Sequence, residues 1–262
     1  MPVVRMTPDT LNEENKRFDQ APLRQTLFLN SVPKCGSHLL RNIIRMFVPV
    51  EQQYHVQFIQ WANLGEHLSA LNANRPQVSW GHLFFADNSA MELAHARKIL
   101  LVRDPYSWVL ARARFFLSDE FSGNVDRLKS GELSVEELLN LMIFGIYQKA
   151  PPMYDIYTNN AVAWLGTRGV HLVRYEDLVR HLKALDGRDA EYFFATLLEA
   201  CGIALPDDWR ERVLIGSDRK QSGTARENLR GIAIDFPDEL PDTQKRLVDY
   251  ASPGLRAILG YT

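Results

Sequence analysis

Cysteine is nearly missing from this chain of 262 residues: Cys35 and Cys201 are the only two. Two widely separated thiols make neither a disulfide framework nor a CxxC metal site, and they fit a reducing compartment. An excess of charge of either sign is also lacking. Thirty Lys and Arg stand against 32 Asp and Glu, for a formal net charge of −2. That balance excludes a broad basic surface for nucleic acid, so an anionic ligand has to be held in a local pocket. Long apolar runs are absent as well. The stretch 138–147 is among the most apolar and falls well short of the ~20 residues that cross a bilayer, and residues 1–20 are mixed and polar, without the apolar centre of a signal peptide. No internal repeat or low-complexity tract interrupts the chain. The expectation is a cytoplasmic protein with no integral membrane segment, and nothing in the sequence bears on its oligomeric state.

What is present is enough apolar residue, 46%, for a sizeable core. Short apolar runs at 26–30 (TLFLN), 77–82 (QVSWGH), 98–103 (KILLVR) and 169–175 (GVHLVRY) predict buried strands. Helical spacing is found between them, at 37–48, 63–71, 105–117, 135–148, 154–165 and 190–200. Strands alternating with helices predict an α/β, P-loop-like three-layer fold, with a central, mainly parallel sheet flanked by helices. A single domain over 1–262 is expected, with an acceptor-side insertion at 118–152 and a loop at 216–231.

Two motifs sit where such a sheet binds ligands, at the carboxyl ends of its strands. The first is Pro33-Lys34-Cys35-Gly36-Ser37-His38, between a strand and a helix. A helix N-terminus presents free N–H groups to an anion. Gly36 allows close approach, Ser37 offers a hydroxyl, and Lys34 adds a full charge. The lysine precedes the glycine, so this is not the GxxxxGK[ST] loop of Mg·ATP enzymes. The second motif is Val102-Arg103-Asp104-Pro105, which ends a strand and opens a helix with Asp104 as cap and Pro105 in the first turn. An arginine at that edge suits bidentate phosphate binding.

Together these motifs resemble those of the PAPS-dependent sulfotransferases, cytosolic and bacterial. The resemblance extends to Arg174-Tyr175-Glu176-Asp177-Leu178, similar to a later strand end of that family, and to Arg219-Lys220-Gln221-Ser222-Gly223, similar to its basic C-terminal loop. It covers about residues 26–231. The implied cofactor is the donor PAPS, with PAP as product and no metal. The implied donor contacts are Lys34, Cys35, Gly36, Ser37, His38, Arg103, Ser107, Tyr175, Arg219 and Lys220. The implied reaction is sulfuryl transfer to a small-molecule, lipid or sugar acceptor. The chain departs from the pattern at Ala111, where the family has a serine, and at Leu39, where it often has a tryptophan. Ser107, Arg112 or the Arg219 loop stand as replacements for the serine.

In-line sulfuryl transfer needs charge stabilisation on the leaving phosphate, for which Lys34 is placed, and a base for the acceptor proton. His82, ending the run Trp80-Gly81-His82, shares the sheet edge of Lys34 and Arg103 and is the expected base. His38 better suits donor binding. His55, His67, His95, His171 and His181 read as structural or solvated. The aromatics Phe84, Phe85, Trp108, Phe115, Phe116, Phe144 and Tyr147 read first as core and second as an acceptor pocket. Two rival functions are a nucleotide-dependent kinase on a similar sheet and a non-catalytic module that binds a phosphorylated ligand.

Overall fold

The structure is a computed structural model that describes residues 3–4, 8–119, 121–122, 126–223 and 234–262. Five strands form one sheet: β1 (Leu27–Ser31), β2 (Ile59–Gln60), β3 (Val78–His82), β4 (Arg97–Val102) and β5 (Val170–Arg174). Their order is β2-β3-β1-β4-β5, and every pairing is parallel. The centre is set by burial. All five residues of β1 are buried, as are Lys98–Val102 of β4, whereas β5 at the edge is mostly half-buried. A parallel strand covered on both faces needs such a continuous apolar run.

The principal helices are α1 (Ser37–Arg45), α2 (Pro105–Phe116), α3 (Val135–Phe144), α4 (Met153–Asn160), α5 (Tyr175–Lys183), α6 (Arg188–Cys201), α7 (Trp209–Ser217) and α8 (Asp242–Ala251). Helix α1 packs on α7, α6 on β4 and β5, and α2 on α3. The chain runs from β1 to β3 on one side of it, then crosses to β4 on the other. A crevice therefore opens beyond the carboxyl end of β1, at the point where the strand order reverses.

The expected elements are present, with shifted ends. The region 63–71 is a run of 3-10 turns, Trp61–Leu71, kinked at His67. The expected helix 135–148 stops at Phe144, where Gly145 takes a φ of 87°. The expected helix 154–165 breaks at Ala161 into α4 and a short turn, Val162–Trp164. Strand β2 escapes pattern reading because it is two residues long. It can dock only because residue 81 lacks a side chain: a Cβ there would lie 1.8 Å from the Ile59 carbonyl oxygen. Helix α7 hides its period because its buried face includes a charged residue, Arg212, beside Trp209 and Val213. In the region expected to be a loop, 216–217 close α7 and Arg219–Gln221 form a 3-10 turn, while 224–231 lie outside the described residues. Residues Val3–Val4 pair antiparallel with Phe121–Ser122, apart from the main sheet. Among the described residues no helix is long and apolar enough to cross a membrane.

Candidate functional site

Strand β1 ends at Ser31, and the chain then turns sharply into α1. Gly36 is the N-cap of α1, with φ of 91°, and no side chain caps the helix. The N–H groups of Gly36, Ser37, His38 and Leu39 precede the first intrahelical bond, from Leu40 N–H to the Gly36 carbonyl at 3.1 Å. They form a donor array at the positive end of the helix dipole. A Cβ on residue 36 would sit 2.6 Å from Cδ2 of Tyr175, so the loop needs glycine for its backbone angle and for the packed ring. Trp108 of α2 fixes the loop from below, its Nε1–H donating to the Pro33 carbonyl at 2.5 Å.

Lys34 adopts a left-handed backbone, φ 67°, and lays its ammonium 3.0 Å from the centroid of Phe115. It has no ion-pair or hydrogen-bond partner among the described residues. Burial pushes the ammonium down to about 7, with the Cys35 thiol slightly opposing the shift. Cation–π attraction partly offsets the lost water.

Arg103 leaves the end of β4 and stacks its guanidinium 4.6 Å over the ring of Tyr175. Tyr175, the first residue of α5, thus touches both phosphate motifs. The Arg103 Nε–H donates to Ser107 Oγ at 2.9 Å, and that hydroxyl donates to Glu176 Oε1 at 2.9 Å. No carboxylate pairs directly with Arg103 among the described residues. Glu176 is occupied elsewhere: it accepts from Asp104 N–H at 3.1 Å and from the Tyr261 hydroxyl at 2.8 Å. Asp104 accepts from Tyr106 N–H as helix cap and twice from Arg256, both at 3.0 Å. The C-terminal residues Arg256 and Tyr261 therefore lock the Arg103 turn, a role that no local pattern announces. Among the described residues nothing bonds to the two terminal nitrogens of the Arg103 guanidinium.

His82, at the end of β3, donates from Nδ1 to the Ser31 carbonyl at 2.8 Å, with Ser31 Oγ 3.0 Å from the same nitrogen. This assigns the tautomer with Nε2 bare and able to accept a proton. Phe58 meets the ring edge-on at 4.6 Å. Burial first, then Lys34, pushes the imidazole down to about 3, so it is neutral throughout the physiological range. Desolvation is the largest cause. His38 is likewise pushed down to about 3 by burial, Lys34, Arg41 and His82, and its ring meets Trp80 at 4.8 Å.

By sequence, no family model and no curated protein matches the chain. Solved structures do match. A mouse sulfotransferase, SULT7A1, complexed with PAP, superposes with a TM-score of 0.59 at 14% identity, covering 98% of this chain and 95% of that one. Retinol dehydratase, in complex with androsterone and inactive cofactor PAP, superposes at 0.53 with 11% identity, covering 92% of this chain and 82% of its own. This is the sulfotransferase fold.

Within the sulfotransferase fold the remaining expected residues divide. Gly36, Ser37 and His38 line the uncapped helix end with Lys34, while Arg103, Ser107 and Tyr175 gather beside it. Cys35 does not join them. Its side chain is fully buried, its N–H bonds to the Val32 carbonyl at 3.3 Å, and burial pushes its thiol up. Arg219 and Lys220 are exposed on their short turn, which is tied to the middle of α1 by Asn42 donating to the Gln221 carbonyl at 2.9 Å. Arg112, one candidate replacement for the missing serine, is buried and donates to the Met142 and Pro151 carbonyls at 2.8 Å, so it anchors α3 and not a ligand. Ser107 already bridges Arg103 and Glu176. Of the aromatics, Trp108 is core, and Phe115 and Phe116 cluster with Phe121 above Lys34. Phe84, Phe85, Phe144 and Tyr147 are exposed. Among the described residues no group of three or more His, Cys, Asp or Glu could hold a metal ion.

Proposed function

We propose that the chain is a PAPS-dependent sulfotransferase, moving a sulfuryl group from PAPS to a hydroxyl or amine of a small-molecule, lipid or sugar acceptor and leaving PAP. One juxtaposition carries this reading. An uncapped helix N-terminus and an arginine with no carboxylate partner among the described residues converge on the single ring of Tyr175, with a half-buried lysine beside them over Phe115. Unpaired buried cations are costly unless an anion completes them. Two half-buried cations at the carboxyl edge of the sheet suit a ligand with two phosphate groups. That both solved relatives hold PAP supports the assignment.

The donor supplies an activated sulfuryl group on its 5′-phosphate. The N–H groups of residues 36–39 and the Ser37 hydroxyl bind that phosphate, and Lys34 stabilises the charge that grows on it as the bond to sulfur breaks. Arg103, oriented by Ser107, takes the 3′-phosphate. His82 receives the acceptor proton at Nε2 while Ser31 holds its other nitrogen. Beside an anionic donor both His82 and Lys34 regain affinity for protons, because a neighbouring negative charge favours their charged forms. Only the loaded site has a competent base.

The test is stabilisation of the chain by PAPS, PAP, ATP or GTP, with and without Mg²⁺, followed by transfer from labelled PAPS. Metal-independent stabilisation by PAP and none by ATP is expected, with His82→Ala losing transfer and keeping PAP binding. No response to PAP overturns the reading, and a parent rate in His82→Ala overturns the base.

A further inference from the structure

One more cation in the molecule is half-buried and uncompensated. Arg41 lies one turn beyond His38 on α1, with its guanidinium 4.5 Å over the ring of Trp80. No hydrogen bond or ion pair satisfies it among the described residues. Burial, with Arg45 beside it, pulls it down to about 10. It borders a narrow cleft of about 10 Å³, lined also by Arg45, Tyr54, His55 and Trp80. The carboxylate near enough to matter, Asp9, is already bound to Arg45 at 2.8 Å, and Arg45 is further held by Asn12 and Gln53. The cleft therefore keeps one net positive charge, which suits an anionic oxygen.

Trp80 links the cleft to the strand that carries His82. Trp80 and His82 are two apart on β3 and so share a sheet face. Phe58 bridges them, edge-on to Trp80 at 4.9 Å and to His82 at 4.6 Å. The sequence Arg41, Trp80, Phe58, His82 is a row with a cation at one end, aromatic rings in the middle and a bare imidazole nitrogen at the other.

We propose that this row is the acceptor track, and that the acceptor is an amphipathic hydroxy acid: hydroxyl at His82, apolar body across Phe58 and Trp80, carboxylate at Arg41. The proposal rests on the sulfotransferase reading for the hydroxyl end only. Arg41 recognises the anion and touches no reacting atom. Trp80 holds its guanidinium in place.

The test measures binding of ω-hydroxydecanoate and its methyl ester to the full chain by calorimetry, with PAP binding measured in parallel. The acid is expected to bind about tenfold or more tightly than the ester, the effect of one charge-assisted contact. Arg41→Gln is expected to erase that preference, and Arg41→Lys to restore part of it. Because an uncompensated cation is removed, Arg41→Gln should melt no lower than the parent and bind PAP equally well. Equal affinity for acid and ester, or an acid preference that survives in Arg41→Gln, overturns the proposal. Failure of PAP to bind the parent chain overturns the donor assignment while leaving an Arg41-dependent acid preference standing.

Discussion

The two ends of α1 use cations in opposite ways. At its C-terminal end Arg45 and Arg212 are almost completely buried and almost completely satisfied. Arg45 reaches Asp9, Asn12 and Gln53; Arg212 is bidentate to Asp208 and also donates to Gln20 and to the carbonyls of Asp19 and Met46. At the N-terminal end, among the described residues, Lys34 has a ring against it and no anion, and Arg103 has one serine and a tyrosine face. Both ends take charge out of water. Only one supplies the partners, and a site left short of them is a site for a ligand.

The sharpest way to break the comparison is to remove a cation from each end. Lys34→Ala should lower transfer on the order of 10²–10³-fold, the scale of losing one charge-stabilising donor, while melting at or above the parent temperature. A parent-like turnover with labelled PAPS would disconnect this end from the reaction. Arg212→Leu should do the reverse. Stripping Asp208 and two carbonyls of their partner should cost about 3–5 kcal/mol in urea unfolding, with PAP affinity of the folded protein unchanged.

Acid should expose the same asymmetry. His38 and His82 are both held at about 3, below the ordinary 6.5, by burial. Between those values the unfolded chain binds protons that the folded chain does not. Stability is therefore complete above about 6.5 and is lost as the pH falls toward 3. His38→Gln should flatten that slope in a melting series, and an unchanged slope would refute the burial argument. The smallest expected effect is that of Arg103→Gln, about tenfold in PAP affinity with little change in melting. An Arg103 variant that lost stability and kept affinity would make this arginine structural, like Arg212.

Three local patterns are completed by groups that lie elsewhere in the chain. The basic pair Arg219-Lys220 follows its motif by local order, yet the turn that carries it is tied to Asn42 in the middle of α1. Cys35 lies inside the loop motif, but the chain turns its side chain into the core. Arg112 has the charge of a phosphate ligand and spends it on the carbonyls of Met142 and Pro151. A motif gives residue type and spacing. It does not say which way a side chain faces or which partner has already claimed it.

From the sequence alone came the alternation of buried strands and helices, the parallel sheet, and the placing of Lys34, Gly36, Arg103, Tyr175 and His82 at strand ends. These are local properties, written in apolar period, in Gly36 and Pro105, and in the cap at Asp104. The tertiary structure decided which charges are satisfied. Tyr261 and Arg256 occupy Glu176 and Asp104 from the far end of the chain, leaving Arg103 without an anion. Phe115 covers Lys34, and Ser31 fixes the tautomer of His82. Satisfaction of a buried charge depends on groups distant in sequence, so no pattern along the chain could have settled it.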